Sequence, residues 1–130
     1  MITKSFKEYN SIEGSVVTIG TFDGIHLGHQ DIIHKLQEIS NKKKLKSIVL
    51  SFFPHPKIVL QNSTDIKLIN TLDEKVEILK KYNIDYFIIK EFTKKFSRLT
   101  ALEFVRDILV NTLNAKHLIV GYDHHFGRNR

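Results

Sequence analysis

The stretch Gly20-Thr21-Phe22-Asp23-Gly24-Ile25-His26-Leu27-Gly28-His29-Gln30 decides the fold of this chain. It follows a β-branched run at residues 16–19, which predicts a short buried strand, and precedes apolar residues at helical spacing from Ile32 to Ile39. The stretch is therefore predicted to be a strand-to-helix turn. Its glycines permit tight backbone angles, and the helix directs unpaired N–H groups towards it, so we expect the turn to bind an anion such as phosphate.

Two histidines, His26 and His29, stand three residues apart at the predicted helix entrance. Residues at this spacing share one face of a helix, with Cβ atoms about 5–6 Å apart, so both rings can reach one phosphate chain. Imidazoles placed there can stabilise charge that develops in a transition state. The pattern is neither a Walker A loop nor the G-x-G-x-x-G dinucleotide motif. A single histidine would more often be a cap or surface residue, but the His-x-Gly-His pair favours a functional site.

Composition limits the class of protein. The 130 residues suffice for one domain, and they include no long apolar run and no signal-peptide pattern, so we expect a soluble, cytoplasmic protein without membrane association. The absence of cysteine excludes disulfides and cysteine chemistry. The net charge of +6 would suit nucleic acid, but Lys42, Lys43 and Lys44 have no interleaved aromatic residues. We therefore expect a solvated lysine cluster and no nucleic-acid partner.

Strands and helices are predicted to alternate along the rest of the chain. Further strands are expected at residues 47–52, 85–89 and 117–120, and residues 1–14 are either a short edge strand or a tether. The segments 57–70 and 90–99 are expected to be irregular connections. Capping boxes predict two helix starts, at Thr71-x-x-Glu74 with a buried stripe of Leu72, Val76 and Leu79, and at Thr100-x-x-Glu103 with a stripe of Leu102, Val105, Leu109 and Leu113.

The segment Phe53-Pro54-His55-Pro56 ends the second predicted strand abruptly. Prolines commonly end a strand, so a rigid exit loop is the simpler interpretation of these two. The loop leaves the carboxyl end of a parallel strand, however, where open α/β sheets bind ligands. Three later aromatic residues, Phe92, Phe96 and Phe104, favour packing over stacking on a ligand. The run Asp123-His124-His125 could indicate zinc, but adjacent histidines do not easily converge on one ion.

Three segments together resemble a known family. The motif from Gly20 to His29, Gly-x-Phe-Asp-Gly-x-His-x-Gly-His, is similar to that of the His-x-Gly-His nucleotidylyltransferases, in the form found in bacterial bifunctional riboflavin kinase/FAD synthetases. Their Phe-x-Pro-His-Pro loop resembles residues 52–56. Their Gly-x-Asp/Asn-Phe-x-Phe-Gly-x-x-Arg loop is matched here at Gly121, Asp123, Phe126, Gly127 and Arg130, with His124 where the family commonly has Phe.

The resemblance implies a fold and a reaction. The fold is an α/β, Rossmann-like, doubly wound parallel sheet in which the four predicted strands have the order 3-2-1-4. The reaction is attack of the FMN phosphate on the α-phosphorus of ATP, giving FAD and pyrophosphate, with Mg²⁺ held on the ATP phosphates near Asp123 rather than by protein ligands. The implied roles are catalysis for His26 and His29, ATP binding for Gly20, Phe22, Asp23, Gly28, His29 and Asp123, flavin binding for Pro54, His55, Pro56 and Phe126, and further loop contacts for Gly121, Gly127 and Arg130.

Family members continue beyond the last of these loops to a second nucleotide motif and a β-barrel riboflavin kinase domain. We therefore expect residues 1–130 to be a partial, C-terminally truncated FAD synthetase domain, covalently linked to a kinase domain in the full-length protein. Two alternatives stay open. One is a related nucleotidylyltransferase that acts on phosphopantetheine, nicotinate mononucleotide or glycerol phosphate. The other is a non-catalytic nucleotide- or RNA-binding module, whose affinity for an oligonucleotide would fall steeply with salt.

Overall fold

A computed structural model of the protein describes residues 1–22, 27–61 and 71–120. Five strands form one sheet in which every neighbouring pair is parallel, and their order is β1-β4-β3-β2-β5. The predicted order of the four later strands is therefore confirmed, and residues 1–14 contribute an edge strand. The strands are β1 Ile2–Ser5, β2 Ser15–Ile19, β3 Lys46–Phe53, β4 Tyr86–Glu91 and β5 Ala115–Ile119.

Helical segments connect these strands. A 3₁₀ turn, Phe6–Glu8, follows β1, and a π-helix, Phe104–Val110, continues directly from α5. The predicted capping boxes are confirmed, because the side chains of Thr71 and Thr100 accept hydrogen bonds from the backbone three residues on and the glutamates reciprocate. The α-helices are α1 Leu27–Lys43, α2 Pro56–Gln61, α3 Leu72–Lys80, α4 Lys94–Ser97 and α5 Ala101–Glu103.

The core consists of two apolar clusters, one on each face of the sheet. All five residues of β2 are buried, which is typical of a central parallel strand covered on both faces. One cluster, which we call the α1-side cluster, contains Val16, Phe22, Ile33, Leu36, Val49, Leu79, Ile84 and Phe87. The opposite cluster contains Tyr9, Val17, Ile19, Ile48, Leu50, Ile88, Phe104, Ile108, Leu109 and Leu113.

Two predicted connections contain helices instead. Residues 57–61 belong to α2, because Pro56 occupies the first helical position, where its missing N–H costs nothing, and the carbonyl of His55 accepts from Ile58 N at 2.9 Å. The segment predicted as a connection at residues 90–99 begins within β4 and contains α4, whose start is capped by the side chain of Thr93. The rest of the first segment, residues 62–70, lies outside the described residues.

The predicted stripe after Thr100 is wrong at one position. Leu102 is 71% exposed, whereas Phe104, Leu109 and Leu113 are buried. The reason is the π-helix, in which Asn111 N donates to the carbonyl of Arg106, five residues back. This wider turn aligns residues five apart, so the buried face drifts away from the one that an α-helical period predicts.

None of the described helices is both long enough and apolar enough to cross a membrane.

Candidate active site

Two of the three predicted site segments follow β2 and β3, whereas the third, residues 121–130, comes after β5 and lies outside the described residues. Because the strands are parallel, their carboxyl ends meet at one edge of the sheet, here called the carboxyl edge. Ile19 lies opposite Leu50, and Phe53 lies opposite Glu91. Pairing continues past β2, since Gly20 N donates to the carbonyl of Leu50 at 3.0 Å. The glycine turn and the proline loop therefore leave neighbouring strands at the edge where open α/β sheets bind ligands.

The turn after β2 depends on a close contact between Gly20 and Phe22. A Cβ atom at Gly20 would lie 2.9 Å from Cε2 of Phe22, closer than carbon atoms pack in proteins. The Phe22 ring is only 3% exposed and belongs to the α1-side cluster. Its backbone has φ 51°, a left-handed conformation that costs a bulky residue about 1–3 kcal/mol. The structure thus buries the ring and leaves the backbone of Phe22 as the part that could contact ATP.

Helix α1 begins at Leu27, so the predicted helix after the turn is confirmed, and Gly28 and His29 lie in its first turn. The first N–H groups of a helix have no partners within it, and the helix dipole is positive at this end. No acidic residue occupies the first turn of α1 to neutralise that end. A phosphate chain placed here would therefore meet hydrogen-bond donors and favourable charge.

The proline loop follows β3 directly. The Phe53–Pro54 peptide bond is cis, and Phe92 N donates to the carbonyl of Phe53 at 3.0 Å, which attaches the loop to the segment after β4. Pro54, His55 and Pro56 are half-buried, whereas Phe53 is 54% exposed. An exposed phenyl ring next to two prolines offers the flat apolar surface that an aromatic ligand can use.

Aromatic residues continue from this loop into the opposite core cluster. The rings of Phe52, Phe92 and Phe96 lie 5.7–5.8 Å apart from one another, and Phe96 is 5.9 Å from the buried Phe104. Phe92, Phe96 and Phe104 therefore pack against other side chains, as predicted.

Two lysines in this part of the fold are buried in full or in part. Lys90 Nζ lies 4.7 Å from the ring centre of Phe96 and 5.5 Å from that of Phe6, and burial lowers the pKa of Lys90. Lys75, in the first half of α3, is 5% exposed. The sequence does carry a signal for Lys75, because it falls within the apolar stripe formed by Leu72, Val76 and Leu79. No comparable pattern singles out Lys90.

Half of the predicted site lies outside the described residues: Asp23, His26, Gly121, Asp123, Phe126, Gly127 and Arg130. Their roles stay predictions, as do the roles of the described site residues and the side-chain contacts of His29. Within residues 1–22, 27–61 and 71–120, no group of three or more His, Asp or Glu residues could hold a metal ion. The zinc alternative at Asp123-His124-His125 falls outside these ranges.

The lysine cluster lies at the other end of α1. Lys42 and Lys43 occupy its last turn, and Lys44 follows with φ 56°. All three are exposed, and cations at this position interact favourably with the negative end of a helix dipole. Their position therefore has a structural explanation that does not require a nucleic-acid partner.

A parallel sheet of this order, covered by apolar clusters on both faces, defines a Rossmann-like α/β protein. The family model described as FAD synthetase matches residues 8–130. The chain belongs to the FAD synthetase family.

Relatives in sequence carry one name. The chain is 40% identical over 126 residues to the bifunctional riboflavin kinase/FMN adenylyltransferase of Buchnera aphidicola subsp. Acyrthosiphon pisum, covering 97% of this chain and 40% of the relative. It is 38% identical to the protein of the same name from Escherichia coli K12, covering 91% of this chain and 38% of the relative. The chain thus spans about 40% of the length of these curated relatives.

A solved structure shares the fold. The crystal structure titled macrolide-efflux protein from Streptococcus pneumoniae aligns with a TM-score of 0.86 at 31% identity, covering 98% of this chain and 43% of that one. The architecture described above is therefore also found in a much longer protein.

Proposed function

We propose that this chain carries the FMN adenylyltransferase function, in which ATP and FMN give FAD and pyrophosphate. The observation that carries the proposal is the FAD synthetase match over residues 8–130. Two relatives named for this activity support it, and so does the glycine turn that leads into α1. The proposal includes a cytoplasmic setting and ATP and FMN as the small-molecule partners.

In the proposed reaction a phosphate oxygen of FMN attacks the α-phosphorus of ATP. As the new P–O bond forms, the bond between the α-phosphorus and the oxygen that bridges to the β-phosphate breaks. Pyrophosphate leaves with the electron pair of that bond. No covalent bond to the protein is required. The chain contributes placement and charge stabilisation: N–H groups at the start of α1 hold the phosphates, and His26 and His29 stabilise the charge that develops during transfer.

Mg²⁺ fits this arrangement as an ion that ATP brings with it. Among the described residues no cluster of ligands forms a protein cage for a metal, and Mg²⁺ commonly binds phosphate oxygens while it keeps several waters. When bound, the ion would neutralise phosphate charge. Asp123 is the residue that we propose lies near it.

Flavin is proposed to bind against the proline loop. Pro54 and Pro56 restrict the backbone there, and Phe53 exposes a ring next to them. An isoalloxazine ring is flat and largely apolar, so it gains from such a surface. Phe126 is proposed to approach the flavin from the last loop.

We further propose that residues 1–130 form part of the FAD synthetase domain, and that riboflavin kinase activity belongs to protein outside this sequence. The support is the fraction of the relatives that the chain spans.

Calorimetric titration tests the proposal. The chain is titrated with FMN and with ATP plus Mg²⁺, and the mixture is then assayed for FAD. We expect both ligands to bind. FAD formation would show that these residues suffice for catalysis, whereas binding without FAD would show a site that needs further protein. Failure of both ligands to bind at millimolar concentration would contradict a working site in this chain.

The same experiment separates the alternatives. Phosphopantetheine, nicotinate mononucleotide and glycerol phosphate are titrated in place of FMN, and preference for one of them would identify a different acceptor phosphate. Binding of an oligonucleotide that weakens steeply with salt, without any response to flavin, would favour a nucleic-acid module.

A further inference from the structure

We propose that Phe22 is a positioning residue: its buried ring fills the space in which a Cβ of Gly20 would lie and packs in one cluster with α1, and so fixes residues 20–22 relative to the helix whose start would bind ATP. This inference rests on the proposed function and adds to it. It assigns the ring of Phe22 a role that is distinct from direct contact with the nucleotide.

Gly20 and Phe22 are each fixed by an interaction with another part of the fold. Gly20 cannot withdraw from the ring without losing the hydrogen bond from its N–H to the carbonyl of Leu50. The ring cannot withdraw without leaving the α1-side cluster, where Phe22 is 3% exposed and is grouped with Ile33 of α1 and Phe87 of β4. The one residue between them, Thr21, therefore has little freedom in its path.

The space between the two residues is filled. A Cβ at Gly20 would lie 2.9 Å from Cε2, 3.3 Å from Cδ2 and 3.4 Å from Cζ of the Phe22 ring. Any side chain at Gly20 would push the ring out of the core or pull the turn off β3. Glycine is thus required at this position by its neighbour in the turn, and not by its own backbone angles.

The backbone of Phe22 supports the same conclusion. Its φ of 51° is unfavourable for a bulky side chain, and such conformations persist only where the surroundings enforce them. Burial of the ring in the α1-side cluster is one interaction that enforces it. If the ring were smaller, the turn would be free to relax, and the N–H groups at the start of α1 would no longer be aligned with the phosphates.

A double-mutant cycle tests the inference. Gly20→Ala, Phe22→Leu and the double variant are compared for ATP affinity by calorimetry and for unfolding in urea. We expect Gly20→Ala to weaken ATP binding by about tenfold to a hundredfold, as displacements near 1 Å do at reaction sites. Leucine lacks the atoms that correspond to Cε2 and Cζ, so the double variant should bind ATP about as tightly as Phe22→Leu alone. Additive losses would overturn the inference.

Ile84→Val is the matched control for a purely structural effect. Ile84 is 1% exposed in the same cluster, but it precedes β4 at the opposite edge of the sheet. We expect this variant to lose stability comparable to that of Phe22→Leu while keeping wild-type ATP affinity. Equal weakening of ATP binding by both variants would overturn the positioning role. A wild-type chain that binds neither ATP nor FMN would instead overturn the proposed function, and this inference with it.

Discussion

The two edges of the sheet are stabilised in different ways. At the edge where the strands begin, here the amino edge, side chains join segments that are distant in sequence. Ser47 N donates to Asp85 Oδ2 at 2.8 Å, and Asp85 N donates to Ser47 Oγ at 2.8 Å, across 38 residues. Ser15 Oγ donates to the carbonyl of Leu113 at 2.7 Å, across 98 residues. These bonds fix where β2, β3, β4 and β5 start relative to one another.

Three of the side-chain bonds that the described residues form at the carboxyl edge are local helix caps. The caps at Thr71, Thr93 and Thr100 each accept from a backbone N–H three residues along the chain. The long-range contact there, Ser51 Oγ to the carbonyl of Thr21, is 3.5 Å and therefore weak. These caps provide acceptors for unpaired N–H groups at the helix starts and do not join segments that are distant in sequence. Among the described residues, long-range side-chain bonds therefore join the strand starts at the amino edge, whereas the caps at the carboxyl edge act within single helices.

The largest expected effect concerns catalysis at the carboxyl edge. His26→Ala should slow adenylyl transfer by roughly 10²–10³-fold, because removing one donor to developing charge has an effect of that size. Unfolding in urea should not change. The measurement is FAD formation at saturating ATP and FMN, in a form of the protein that is catalytically complete.

His34→Ala is the control for this prediction. His34 is exposed on α1 and packs against Tyr82, with ring centres 6.2 Å apart, so it belongs to the same helix but not to the turn. Its loss should leave turnover unchanged. Wild-type turnover in the His26→Ala protein would remove the catalytic role from this histidine.

The second effect tests the amino edge. Asp85→Ala removes the acceptor for the backbone N–H of Ser47, which is 1% exposed, and should lower the free energy of unfolding by about 1–3 kcal/mol. ATP affinity should stay at the wild-type value, because the change lies at the far end of the strands. Asp85→Asn retains an acceptor oxygen and should cost less. Loss of ATP affinity in step with stability would show that the two edges are not independent.

The same division explains how much of the structure the sequence predicts. The capping boxes and the helix after the glycine stretch depend on patterns within about ten residues, and they are confirmed. The strand order, which the family resemblance implies, is confirmed as well. The Ser47–Asp85 pair joins two segments whose register appears only once the sheet has formed. The apolar spacing of the sequence does not predict the π-helix either, because it follows the α-helical period. The π-helix shifts the buried face of this segment, and Leu102 is exposed.

The site shows a similar limit at Phe22. The motif identifies glycine and phenylalanine as important, and the resemblance implies ATP binding for both. The structure adds that the phenyl ring fills the space in which a Gly20 side chain would lie. The position of the Phe22 ring depends on the rotamer that packs in the core, and the spacing of residues in the motif does not predict that rotamer.

The third effect tests the local caps. Thr100→Ala removes the acceptor for Glu103 N, which lies 3.1 Å from Thr100 Oγ1, and should cost about 1 kcal/mol of stability. Thr100→Ser keeps the hydroxyl that accepts from Glu103 N, so it should retain most of the stability that Thr100→Ala loses. The measurement is urea unfolding of both variants beside the wild type. A loss as large as that of Asp85→Ala would show that local caps and long-range bonds matter equally to this fold.

The smallest effect is the pH dependence of the same cap. The pKa of Glu103 is held below its ordinary value of 4.5, first by the hydrogen bond from the backbone N–H of Thr100 and then by the Thr100 side chain. Because the folded pKa lies below the unfolded one, this contribution is fully present above the unfolded pKa and is lost as pH falls through the folded pKa.

Glu103→Gln isolates that contribution, since glutamine keeps the oxygen that accepts from Thr100 N but cannot titrate. We expect the variant to be slightly less stable than the wild type at pH 6, and to lose less stability when the pH is lowered below the ordinary carboxyl range. Urea unfolding at both pH values measures the difference. Identical acid sensitivity would mean that solvent screens this exposed carboxylate fully, and the local bonds of the carboxyl edge would then act through geometry and not through charge.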